Sequence, residues 1–187
     1  KWLNTIKNKD IKVVACCDDI LKTRSISFDN HIWTSARNAK LLAASIKREL
    51  TQIDPEHAFH YEQNYSKLVQ ELERLDKEIH ADLNNRRTDF FIISHAALAH
   101  YAEDYGLTQL ALEYEGKELG ARSLVAIVER ARKEQIQTLF VQTQHRSAIA
   151  AAFADEIDAR VIEFDPLDGD YINNMRDITK KIVEAVR

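Results

Sequence analysis

The sequence predicts an α/β fold: a parallel sheet sandwiched by helices, joined to one long connecting helix. Beyond residue 87, short apolar runs alternate with amphipathic stretches, the pattern of strands that pair in parallel beneath crossover helices. Ahead of that region, apolar residues recur at spacings of three and four from Tyr61 to Leu83, while Glu, Lys and Gln fill the other face. With only 4 Gly and 2 Pro in 187 residues, the chain is poor in the turn residues an all-β sandwich needs.

Taken in order, Ile11-Lys12-Val13-Val14-Ala15-Cys16-Cys17 reads as a short buried strand, β-branched and largely apolar. Residues 18–30, rich in Asp, Ser and Asn, read as a loop. A helix is expected from Ala36 to Leu50, with Ala39, Leu42, Ala43, Ile46 and Leu50 on one stripe. Asp54-Pro55-Glu56 is a restart signal, Asp as N-cap and Pro at the first helical position. The helix that follows runs to Leu83; about 30 residues would span roughly 45 Å, more than one small lobe requires. Then come a strand at Phe90-Phe91-Ile92-Ile93, a helix from Ala96 to Tyr105 closed by Gly106, and a strand from Gln109 to Tyr114. A helix from Leu124 to Lys133, a strand at Thr138-Leu139-Phe140-Val141 and a helix from Ser147 to Ile157 follow. A strand from Arg160 to Phe164 and a helix from Tyr171 to Val186 complete the pattern.

Bulk properties exclude several function classes. The length suits one domain or two small lobes. A net charge of -4, with basic and acidic residues interleaved, offers no footprint for nucleic acid and no polybasic membrane patch. No apolar run approaches the roughly 20 residues a membrane span needs. Enzyme templates are missing too: no G-x-S-x-G, H-E-x-x-H, P-loop or G-x-G-x-x-G is present, so no catalytic residue is assigned. The adjacent Cys16 and Cys17 would point to opposite faces of a strand and read as two buried free thiols.

The histidines carry the remaining chemistry. His31, bracketed by Asp29, Asn30 and Trp33, is either a metal ligand held by its neighbours or a loop residue beside a core tryptophan. In open parallel sheets ligands bind outside the carboxyl ends of the strands. His95 follows the 90–93 strand, Asp165 follows the 160–164 strand, and His145 follows 138–141 by a few residues, so three candidate side chains leave one edge. His31, His95 and Asp165 together would supply two imidazoles and a carboxylate, a set suited to Zn(II), or to Mn(II) or Fe(II) with a further carboxylate. Singly, Asp165 also reads as the start of an Asp-Pro turn, and His95 as a residue packed under the sheet edge. His57 and His60 share a helix face, and His80 stands alone on the same helix; both sites read as solvated. His100 reads as partly buried.

Asp29-Asn30-His31-Ile32-Trp33 resembles the D-P-H-x-W segment of the zinc/manganese solute-binding proteins of bacterial ABC transporters. Ile53-Asp54-Pro55-Glu56, with Tyr61 and Asn64, resembles the start of that family's long backbone helix. Ser94-His95-Ala96-Ala97-Leu98, continuing to Tyr105-Gly106-Leu107, resembles its H-D-A-x-x-Y-F…Y-G-L segment, and Phe140-Val141-Gln142 its strand ending in Glu. Phe164-Asp165-Pro166-Leu167 and Tyr171 resemble its closing D-P-L segment.

The resemblance implies a two-lobed metal receptor. Residues 1–35 would be a remnant of the N-terminal lobe, 36–87 a helix and the long inter-lobe helix, and 88–187 the C-terminal α/β lobe. The function implied is an extracytoplasmic, high-affinity zinc receptor, not an enzyme, with Mn(II) as a second cation, in the periplasm or on a cell-surface lipoprotein. It would deliver the ion to an ABC permease and touch the membrane only through that permease or a lipid anchor outside this chain. His31 and His95 would be metal ligands, and Asp165 the carboxylate that closes or supports the site. The chain is expected to be an N-terminally truncated member, with a signal sequence and a further ligand histidine upstream. It departs from the family pattern at Asn30 (for Pro), Ala96 (for Asp), His100 (for an aromatic) and Glu118-Leu119-Gly120-Ala121. Those departures motivate an alternative, an adhesin or interaction protein that keeps the fold with a degenerate metal site.

Overall fold

A computed structural model of the protein describes residues 5–8, 10–23, 26, 29–114, 116–145 and 148–187. Its centre is a five-stranded sheet: β1 (Phe90–His95), β2 (Thr108–Tyr114), β3 (Lys117–Glu118), β4 (Thr138–Gln142) and β5 (Arg160–Phe164), in the order β3-β2-β1-β4-β5. β1 pairs in parallel with β2 and β4, and β4 with β5, while β3 turns back antiparallel on β2. Around the sheet run α1 (Asp18–Thr23), α2 (Ala36–Ile53), α3 (Ala58–Asp82), α4 (Ala99–Tyr105), α5 (Ala121–Glu134), α6 (Ala148–Glu156) and α7 (Tyr171–Val186).

Strand alternation sends neighbouring side chains to opposite faces, which explains why the central strands read as unbroken apolar runs. Phe91 and Ile93 of β1 and Phe140 of β4 face a core closed by Leu75 and Ile79 of α3, Tyr101 and Tyr105 of α4, and Met175, Ile178 and Ile182 of α7. Ile92, Leu139 and Val141 face the other way, onto Ile127 and Ala131 of α5 and Phe153 of α6. Both faces are covered, as the α/β reading expects.

The chain runs from β1 outward to β2 and β3, then crosses back to place β4 on the far side of β1. The crevice between the carboxyl ends of β1 and β4 is therefore the topological switch point, where such sheets bind ligands.

Several local expectations need correction. Residues 11–15 are irregular, not a strand; Ile11 is 48% and Val13 60% exposed, and no strand of the sheet lies alongside to pair with them. β-branched composition favours extended backbone, but a strand exists only where a neighbour takes up its amides. Cys16 and Cys17 are free and half-buried rather than buried. The 18–30 stretch holds a short helix, α1, in its described part. Ser147, the expected start of α6, lies outside the described residues. α4 begins at Ala99, later than expected, because β2 takes up the preceding amides: Ala96 N–H donates to the Glu113 carbonyl (3.2 Å) and Leu98 N–H to Gln109 Oε1 (2.8 Å).

Caps account for the other boundaries. Ser35 Oγ accepts from Asn38 N–H (2.9 Å), so α2 starts immediately after it. α4 ends at Gly106 in the left-handed region, φ 67°. Asp54 precedes a 3-10 turn, Pro55–His57, but its carboxylate binds His57 Nδ1 (2.8 Å) and Tyr61 OH (2.7 Å) instead of capping a backbone amide. α3 spans 25 residues. Its apolar stripe enters the core from Leu72 onward, while Tyr61, Tyr65 and Leu68 line an open apolar groove of about 550 Å³ against Ala39, Leu42 and Ile46 of α2.

Candidate metal centre

His95 is the last residue of β1 and only 9% exposed. The parallel register sets it beside Glu113 of β2, whose Oε1 lies 3.1 Å from His95 Nδ1. The sheet itself thus supplies the carboxylate that orients this ring.

His31 is oriented by a local device. Asp29 Oδ1 accepts from the His31 backbone N–H (2.9 Å) and from Nδ1 of its ring (2.7 Å). Such an Asx-type turn holds backbone and ring at once. Burial pushes the Asp29 carboxyl up, but the hydrogen bonds from the His31 side chain and backbone, with the charges of His31 and His100, outweigh it. The net pKa lies below the usual carboxylate value. The next turn carries Trp33, whose ring centre is 5.4 Å from that of His31. Trp33 Nε1 donates to the Pro166 carbonyl (2.9 Å), and Tyr171 OH donates to the Trp33 carbonyl (2.8 Å).

With Nδ1 of each ring facing a carboxylate, the proton sits on Nδ1 and the Nε2 lone pair is left for a Lewis acid. The two rings are 5.3 Å apart between centres and inclined at 81°. Asp29, Asn30, His31, His95, Ala96, Ala99, Tyr114 and Gly116 line a cavity of about 380 Å³ at this point.

The other candidates are placed differently. His145 stacks on His95, centres 4.6 Å apart and planes 11° from parallel. Parallel rings cannot both aim in-plane lone pairs at one ion, so in this pose His145 covers His95 rather than joining it. Asp165 follows β5 on the same sheet edge, and its Oδ1 accepts from Gln144 Nε2 (2.7 Å) and Leu167 N–H (2.8 Å). Among the described residues no three or more His, Cys, Asp or Glu side chains are gathered into a cage for an ion. The structure therefore brings His31 and His95 together and leaves Asp165 outside their immediate contact. Glu113 went unrecognised in the sequence, where only the strand register could have revealed it. His57 binds Asp54 at the surface, and its ring lies 6.2 Å from that of His60.

A profile of the family described as zinc-uptake complex component A, periplasmic, matches residues 1–185. The chain belongs to the zinc-uptake complex component A family. Among solved structures it resembles ZnuA with 31% identity and a TM-score of 0.89, over 100% of this chain and 75% of that one. A ZnuA deletion variant with zinc bound is 35% identical, with a TM-score of 0.80 over 84% of this chain and 61% of the other. A protein of Chlamydia trachomatis, described as a proposed metal-binding protein, is 28% identical over 162 residues, 86% of this chain. The chain spans 57% of that relative's length. The expectation of a zinc solute-binding family is thus borne out, as is the mixed α/β fold with its long helix.

Proposed function

We propose that this chain is the zinc-binding part of an extracytoplasmic receptor that captures the ion and delivers it to an ABC permease. The observation that carries the reading is the pair of imidazoles at the sheet's switch point, each oriented through Nδ1 by its own carboxylate. Zn–N bonds near 2.0–2.1 Å in a tetrahedral site put two ring centres about 5 Å apart. The 5.3 Å between the ring centres of His31 and His95 matches that spacing. Membership of the zinc-uptake family and the zinc-bound state of a ZnuA relative support the same reading.

In this reading His31 and His95 are ligands, and Asp165 closes or supports the site through the carboxylate oxygen not held by its own turn. Residues 1–35 bring His31, 36–87 form the connecting helices, and 88–187 form the lobe that carries His95 and Asp165. Two imidazoles favour zinc over manganese, which prefers oxygen donors. The role is binding and release, with no bond made or broken in the cargo. No helix among the described residues is long and apolar enough to cross a membrane; contact with the membrane falls to the permease or to a lipid anchor elsewhere.

Zinc titration by competition with a chromogenic chelator tests the proposal. His31→Ala and His95→Ala are each expected to weaken binding at least tenfold. If both bind like the parent, the site lies elsewhere.

A further inference from the structure

His31 lies on an irregular segment, and something must hold that segment at a fixed distance from β1. The carboxylate of Asp29 cannot do so alone, because it belongs to the same segment.

The anchor is α4. His100, fully buried, places Nε2 2.9 Å from the Asp29 backbone carbonyl. A carbonyl oxygen only accepts, so His100 carries its proton on Nε2 and donates; its Nδ1, also buried, meets no partner among the described residues. One helical turn later, Asp104 accepts a hydrogen bond from Ser35 Oγ at the other end of the segment. Residues four apart share a helix face, so α4 grips the loop on both sides of His31 with one stripe. The same stretch of chain begins at His95, five residues before His100. From these contacts we propose that His100 is a positioning residue for metal binding, and that with Asp104 it clamps the His31 loop to the segment carrying His95. Residues 95–104 thus help to set the spacing of the two imidazoles.

The proposal rests on His31 and His95 being the ligands, but its first readout does not need metal. His100→Phe keeps the bulk and removes the donor; His100→Gln keeps an N–H of similar reach. In the metal-free protein, nitrogen-15 spectra of the imidazoles should show the His31 Nδ1–H signal shifted or broadened in His100→Phe and close to parental in His100→Gln. Zinc affinity should fall about three- to tenfold in His100→Phe, the worth of one buried hydrogen bond, and return to within about twofold in His100→Gln. Asp104→Leu, which removes the acceptor of the Ser35 hydroxyl, should show a loss of similar size. An unchanged His31 signal in His100→Phe overturns the clamp; equal losses in His100→Phe and His100→Gln overturn it as well, since packing alone would then explain them. If the parent itself fails to bind zinc, the receptor reading falls, while the metal-free spectra still decide the clamp.

Discussion

Replacing Asp29 by alanine probes the device that aims His31. The substitution deletes the acceptor of two hydrogen bonds, from His31 N–H at 2.9 Å and Nδ1 at 2.7 Å. A carboxylate that orients a ligand imidazole is typically worth about 10–100-fold in metal affinity, or roughly 1.4–2.8 kcal/mol at 1.4 kcal/mol per decade. The upper half of that range is expected, because the same oxygen also fixes the backbone of His31, the proposed ligand. Folding stability should change much less. The lost hydrogen bonds cost about 1 kcal/mol each, but Asp29 is 6% exposed and its Oδ2 is buried without a partner among the described residues, so removing the carboxylate also relieves a desolvation penalty. Chelator competition at neutral pH, read beside a thermal melt of the metal-free protein, separates the two effects. A large loss of affinity with a melting temperature within a few degrees of the parent is expected. Parental affinity in Asp29→Ala would refute the reasoning, since His31 would then not depend on the turn that orients it.

Other outcomes can be checked alongside. Glu113→Ala, which removes the partner 3.1 Å from His95 Nδ1, should lower zinc affinity about tenfold, and titration calorimetry reads it directly. Gly106→Ala puts a side chain at φ 67°, where it also meets Arg86 Nη2 at 3.4 Å, and should cost about 1 kcal/mol in a urea melt. Alkaline pH should unfold the protein through its buried phenols. Burial raises Tyr101 and Tyr171, and burial together with the hydrogen bond to Asp76 raises Tyr105. A raised folded pKa gives stability that is complete below the unfolded value, near pH 10 for Tyr, and drains away as pH climbs above it. The tyrosinate absorbance of these three should therefore appear together with loss of circular dichroism; their ionisation in a still-folded protein would contradict this.

Much of the fold was legible because period and burial coincide. β4 reads as a strand because a sheet covered on both faces needs continuous apolar runs, and Gly106 announced the end of α4 through its backbone freedom. The 11–17 run misled for the converse reason: its composition suits a strand, but pairing is supplied by neighbours the run itself does not encode. β3 escaped notice because Lys117 and Glu118 are two polar residues that pair only through the register of β2.

The sequence by itself determined the types of the long elements from residue 36 onward, the sheet edge that bears His95, His145 and Asp165, and the closeness of Asp29 to His31 along the chain. Each of these depends on residues close together along the chain. Only the tertiary structure decided that Glu113 stands beside His95, that His145 stacks on it, and that His100 and Asp104 grip the His31 loop. Those contacts depend on strand register and on how α4 docks between the sheet and the 29–35 segment. Both are set by burial of the whole core, a sum over distant residues that no single stretch of sequence expresses.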